Sequence, residues 1–219
     1  MVAAFGHAQS YYIQCEDTCG HVHGIDMSHY QTKIFWDEVG DNNRIHYLYL
    51  KASEGSDNID KRYQENIRMA QSHNIKVGSY HFYRPLRPQM EQLRNFRAQC
   101  RPEDQDLIPM IDVETKSGMR TEAFVDSLPK FLKLIEREYH QKPLVYTGQN
   151  FYNSYLVGAL DGYKLMIAKY SDTEPVLSDD RDIFAWQYTG KGHLTGVNGY
   201  VDKSRLMGRH ALREIRFHK

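Results

Sequence analysis

The sequence is short of several things, and each shortage closes off a class of protein. Cysteine appears only 3 times in 219 residues, as Cys15, Cys19 and Cys100, which is too sparse and too odd a set for a disulfide framework. Cys15 and Cys19 with His21 and His23 can be drawn as a metal cluster, but C-x3-C-x-H-x-H matches no common zinc spacing. The expectation is therefore no metal and no cofactor; a local Cys15–Cys19 disulfide is expected if the protein is exported. No apolar run approaches the roughly 20 residues that cross a bilayer, so no membrane span is expected and the chain reads as soluble. Neither sign of charge prevails: Lys+Arg and Asp+Glu stand at 28 each. That balance argues against a nucleic-acid groove or a polybasic membrane contact. There is no G-x-G-x-x-G, no P-loop, no internal repeat, no low-complexity tract and no interdomain linker, so one domain is expected.

What is present is enough apolar residue, 41%, for one sizeable core. Eight apolar, β-rich segments recur: residues 21–28, 45–55, 76–84, 107–115, 143–149, 164–171, 183–189 and 199–206. Helical patterns lie between the early ones, at residues 59–73, 89–100, 121–140 and 150–158. Asn74 stands where the first would stop, and Pro129 predicts a kink or late start in the third. After Lys164 the loops are too short for long helices. Strand–helix alternation followed by three strands without helices predicts an α/β fold, a barrel with helix-poor closure. An open doubly wound sheet is the alternative, without a nucleotide motif to support it.

Met1 to Ser10 lack a basic start and a long apolar stretch. They read as the stub of a removed export signal, Gly6-His7-Ala8 loosely resembling a cleavage site, or as a cloning scar. Residues 1–20 are thus taken as an N-terminal extension or export-signal remnant, and residues 21–219 as the barrel domain.

The most informative segment is Pro109-Met110-Ile111-Asp112-Val113-Glu114-Thr115. Strand side chains alternate faces, so Asp112 and Glu114 project together from the end of a buried strand. Two adjacent carboxylates repel and resist desolvation, and splitting their pKa values into an acid and an anion is a common use. The plain reading is a solvated strand end or a helix cap. Barrel chemistry gathers at the C-terminal ends of strands, and those ends carry Asp26, Lys51, Tyr80, Phe82, Tyr146, Tyr170, Gln187 and Asp202 as well. Four acids with several aromatics describe a pocket for a neutral polyhydroxylated substrate. Each member has a plainer reading: Tyr80 and Phe82 as barrel filling, Trp186 as an outward core residue, Lys51 with Glu54 as a surface pair, His81 as a structural histidine, Asp202 as a salt-bridged strand end.

The order Gly24-Ile25-Asp26-Met27-Ser28-His29-Tyr30-Gln31, Lys51-Ala52-Ser53-Glu54-Gly55, Gly78-Ser79-Tyr80-His81-Phe82, Asp112-Val113-Glu114, Val145-Tyr146-Thr147 and Trp186-Gln187-Tyr188 through Val201-Asp202 resembles glycoside hydrolase family 25, the N-acetylmuramidase lysozymes. The resemblance spans Gly24 to about Leu206. It implies a (β/α)5(β)3 TIM-like barrel and hydrolysis of the β-1,4 bond between N-acetylmuramic acid and N-acetylglucosamine in peptidoglycan. A chitin-directed glycosidase, or a catalytically weak wall-binding barrel, is the alternative. On this resemblance the catalytic set is Glu114, Asp112, Asp26 and Asp202, with a retaining reaction. Glu114 acts as acid and then base; either Asp112 orients the substrate's cyclising acetamido group or an enzyme carboxylate serves as direct nucleophile. Lys51, Tyr80, Phe82, Tyr146, Tyr170 and Gln187 are the expected substrate contacts. Asp26 and Asp202, from first and last strands, are expected side by side, across from a wall made by Tyr80 and Phe82. The partner is peptidoglycan glycan strands, the location secreted, periplasmic or at the cell envelope, and the state a monomer. One departure is Met166, where many members carry Trp; the tail after Leu206, with His210, Arg213, Arg216 and His218, lies outside the resemblance.

Overall fold

A computed structural model describes residues 20–42 and 44–219; Cys15, Cys19 and nearly all of the expected N-terminal extension lie outside those residues. The first half alternates strand and helix: β1 (His23–Met27), α1 (Trp36–Gly40), β2 (Tyr47–Glu54), β3 (Asn58–Ile59), α2 (Tyr63–Ser72), β4 (Val77–Phe82) and α3 (Gln89–Gln99). The rest runs β5 (Met110–Asp112), α4 (Thr121–Tyr139), β6 (Leu144–Gly148), α5 (Gln149–Tyr155), β7 (Leu165–Ala168), β8 (Ala185–Gly192) and β9 (Val201–Leu206). The sheet order is β1-β9-β8-β7-β6-β5-β4-β2-β3, and a further β1–β2 pairing closes it. Eight strands form the barrel, with five β/α units followed by three strands lacking helices. The (β/α)5(β)3 expectation holds, and the short β3 is an added hairpin outside the ring.

One strand departs from the parallel pattern. β9 runs antiparallel to both β8 and β1, because the short β8–β9 connection turns the chain straight back, whereas parallel pairing needs a long crossover. β5 is also shorter than residues 107–115. The amide of Leu107 bonds to Val77 and that of Ile108 to Ile215, and Pro109 has no amide to give. The tail therefore has a place: Ile215 and Phe217 are buried, and Leu107 bridges to Arg216.

α2 stops as expected, with Asn74 in the left-handed region (φ 59°), which Asn tolerates. α4 continues through Pro129 from Thr121 without a late start, and buries Phe124, Leu128, Phe131 and Ile135 against the barrel. α1 was not anticipated; with Trp36 and Val39 as its buried residues, it has too few apolar positions for a periodic signal. Inside the barrel, Tyr47 and Tyr49 are fully buried and form the floor under the mouth. Two glycines make room for them: a Cβ on Gly24 would lie 2.1 Å from the Tyr47 ring, and one on Gly78 2.5 Å from the Tyr49 ring.

Candidate active site

The strand register brings the acids together. Asp26 of β1 pairs directly with Asp202 of β9, and Asp112 of β5 lies between Phe82 of β4 and Tyr146 of β6. Because β9 is reversed, Asp202 reaches the same rim from the start of its strand, where the other strands contribute their C-terminal ends. Register shifts between Lys51 and Ser53, a bulge of the kind that re-aims side chains. Lys51 lines the cavity while Ser53 bonds the outward-facing His81 at 2.9 Å.

All ten expected residues line one cavity of about 420 Å³ at this mouth. Asp112 and Asp26 are buried, and one oxygen of each, Oδ1, has no hydrogen-bond partner. Burial pushes the Asp26 carboxyl up to about 7; the Gln187 amide works against that and Asp202 adds to it. Asp202 rises to about 6 through burial and the charge of Glu114. Asp112 is held well above the carboxylate range, first by burial and then by Glu114. Glu114 lies past the end of β5, open to solvent, yet the walls around it remove enough water to raise its carboxyl. Tyr146, Lys51 and Arg84 temper that rise. Like-charge repulsion between Asp112 and Glu114 adds to the effect of burial at this end of β5.

Three expected contacts have more specific places. Gln187 is buried; its Nε2 donates to Asp26 Oδ2 (3.0 Å), and its Oε1 accepts from Tyr146 (2.8 Å) and Tyr170 (3.0 Å). It holds an acid in place before it could hold a sugar. Lys51 donates to Glu54 (2.7 Å), which also accepts from Arg84 Nε (2.9 Å), and both cations sit over Phe82. The pair with Glu54 is a cavity wall, not a surface ornament. Burial drives the His81 ring down to about 4, and Gln92 lies 3.2 Å from its Nε2; it is a neutral structural histidine. Trp186 faces outward, donating to Lys169 O and stacking with Arg205.

Two residues that the sequence reading left unassigned stand at the rim. Tyr30 is 75% and Tyr200 54% exposed, and both line the cavity. Gln31 joins their loops by donating to Tyr200 O at 2.8 Å, and Asp60 holds His29. Tyr30 and Tyr200 both lie in loops, outside the strand periodicity that marked the other rim residues. Met166, the departure, is fully buried beside Tyr146.

An eight-stranded barrel with four carboxylates and a tyrosine-rich mouth is the apparatus of a glycoside hydrolase. A sequence profile of glycosyl hydrolases family 25 matches residues 25–197, and the chain belongs to that family. Lysozyme M1 of Streptomyces globisporus is 26% identical over 88% of this chain and 69% of its own length. Among solved structures, a family 25 glycosyl hydrolase from Bacillus anthracis superposes with a TM-score of 0.78 at 29% identity, covering 86% of this chain and 89% of that one. A bacterial lysozyme from Streptomyces coelicolor gives 0.78 at 27%, covering 88% and 94%. The protein is a lysozyme-type glycoside hydrolase. No described helix is long and apolar enough to cross a membrane.

Proposed function

We propose that this hydrolase cleaves the β-1,4 bond between N-acetylmuramic acid and N-acetylglucosamine in peptidoglycan, with retention, outside the cytoplasm. The observation that carries the reading is the convergence of Asp26, Asp112, Glu114 and Asp202 on one cavity, with the raised carboxyl of Glu114 at its open edge. A carboxyl raised in this way keeps a proton to give, so Glu114 protonates the departing glycosidic oxygen. As the bond to the anomeric carbon breaks, the carbonyl oxygen of the 2-acetamido group bonds to that carbon. Asp112, with an unpartnered buried oxygen, accepts a hydrogen bond from the acetamido N–H and so orients the group. Glu114, now a carboxylate, takes a proton from water. The water oxygen bonds to the anomeric carbon from the leaving group's side, the acetamido oxygen departs, and configuration is retained. Tyr80 and Phe82 wall the sugar, and Lys51, Tyr146 and Tyr170 contact it.

The test is digestion of purified peptidoglycan followed by borohydride reduction of the products. New reducing ends on muramic acid support the proposal, and reducing ends on glucosamine, or release from chitin oligomers alone, contradict it. General acid catalysis contributes roughly 10²–10⁴-fold, so Glu114→Gln loses at least about 10²-fold of activity.

A further inference from the structure

Among the described residues that line the catalytic cavity, Lys51 is the only basic side chain. Its ammonium is held from two sides. It donates to Glu54 Oε2 (2.7 Å) and lies 5.3 Å from the centre of the Phe82 ring. The other Glu54 oxygen accepts from Arg84, whose guanidinium covers the same ring at 4.4 Å. α3 backs this clamp with two buried amides. Gln92 brackets Arg84, accepting from its backbone amide (2.9 Å) and donating to its carbonyl (3.0 Å), and Asn95 donates to the Gly55 carbonyl (2.9 Å). Burial would raise the Glu54 carboxyl, but bonds from Lys51 and Arg84 outweigh it and leave Glu54 ionised. Two cations and one anion leave one net positive charge. Strand register aims that charge. Lys51 stands opposite Tyr80 on β4, and Phe82, two residues on, stands opposite Asp112 on β5. The Lys51 stem thus carries its ammonium over Phe82, towards the strand that ends in Asp112.

We propose that Lys51 is the fixed counter-charge that lets the Asp112–Glu114 pair hold one proton and one negative charge together, and that Glu54, braced by Arg84, is the positioning residue that keeps it there. This rests on Glu114 as proton donor and Asp112 as acceptor of the acetamido N–H, which require the pair to carry a single charge. Burial and the charge of Glu114 resist ionisation of Asp112, Asp26 and Glu54 add to that resistance, and Lys51 is the charge set against them. The other groups facing the pair offer no substitute. Asp26 on β1 and Asp202 on β9 are acids. Tyr80 on β4, Tyr146 on β6 and Tyr170 beyond β7 keep their protons, since burial raises each phenol. Arg84 tempers Glu114 but does not line the cavity. A lysine is a strongly hydrated point charge on a flexible stem, so an unanchored ammonium would leave the wall for water. The Glu54 carboxylate is the anchor.

The test reads the pair without substrate. Carbon-13 NMR titration of the side-chain carboxyls, assigned with Asp112→Asn and Glu114→Gln, follows the two ionisation steps that belong to the pair. In Lys51→Met the first step is expected to rise by about one pH unit or more, the low end of what an opposite charge a few ångströms away supplies. Lys51→Arg keeps the charge and stays near wild type. Glu54→Ala moves the step upward by less, and Lys51→Met combined with Glu54→Ala moves it no further than Lys51→Met alone. On peptidoglycan the acid limb of kcat/KM follows, so activity on that side of the profile falls about tenfold for each unit. An unmoved step in Lys51→Met, or in Lys51→Gln should the methionine variant fail to fold, overturns the counter-charge. Lys51→Arg titrating like Lys51→Met overturns it too, since shape and not charge would then be acting. A downward move in Glu54→Ala means that Glu54 only subtracts charge, and overturns its positioning role. A wild type inert towards peptidoglycan overturns the proposed substrate, and the titration still decides the part played by Lys51.

Discussion

At the scale of single residues, Gln187 shows how a site is made from parts that hold one another in place. It accepts two tyrosine hydroxyls and donates to Asp26, leaving the other Asp26 oxygen facing the cavity. The donated bond holds the Asp26 pKa down against burial. In Gln187→Leu the Asp26 pKa therefore rises, and any limb of the pH–rate profile that reports Asp26 ionisation moves to higher pH. A drop in thermal stability with no movement of either limb would show Gln187 to be packing alone. Asp26 also carries a stability consequence of definite sign. Its folded-state pKa, about 7, lies above the ordinary 3.8, so the folded protein binds this proton more tightly than the unfolded chain. Its contribution is complete below pH ~4 and is lost as pH rises through about 7. Asp26→Asn keeps the acceptor for Gln187 and removes the penalty. At pH 8 the variant is expected to be more stable, by up to about 4 kcal/mol, while losing activity. Urea melts at pH 5 and pH 8 check this, and an equal shift at both would refute it.

At the scale of elements, the sequence was legible where a signal repeats and silent where geometry decides. Apolar runs announced all eight barrel strands, and Phe124, Leu128, Phe131 and Ile135 announced α4. The rim acids could be placed because strand ends are polar. The reversal of β9 could not be read, since alternation along a strand says nothing of its direction. Trp186, Gln187 and Tyr188 are adjacent, yet only Gln187 lines the cavity; which face of β8 points inward depends on register. Tyr30 and Tyr200 lie in loops, where no period exists to betray them. Gly24 and Gly78 were visible as letters of a motif, and their reason appears only with the tyrosines they accommodate. Gly24→Ala drives a methyl into the Tyr47 ring at 2.1 Å, and overpacking of this kind costs about 1–3 kcal/mol. The urea midpoint is expected to fall accordingly, and a midpoint equal to wild type would mean that Tyr47 can move aside.

For the whole molecule, the charge distribution makes a statement about how the enzyme meets its polymer. The chain is neutral overall, with 28 basic and 28 acidic residues, while four carboxylates are gathered at one mouth. Lys51 is the cation in that cavity's wall, and it is tied to Glu54. A field of this shape gives no long-range attraction to an anionic wall, and close to the mouth it opposes one as Asp202 and Asp26 ionise, at about pH 6 and 7. Screening length falls from about 30 Å at 0.01 M salt to about 8 Å at 0.15 M. Added salt should therefore shorten the reach of that repulsion without removing any attraction. The rate of wall solubilisation at low substrate is expected to hold steady or rise between 0.01 and 0.15 M sodium chloride. A severalfold fall over that interval would mean that binding runs through a basic surface, and that the four-acid mouth is not what governs approach.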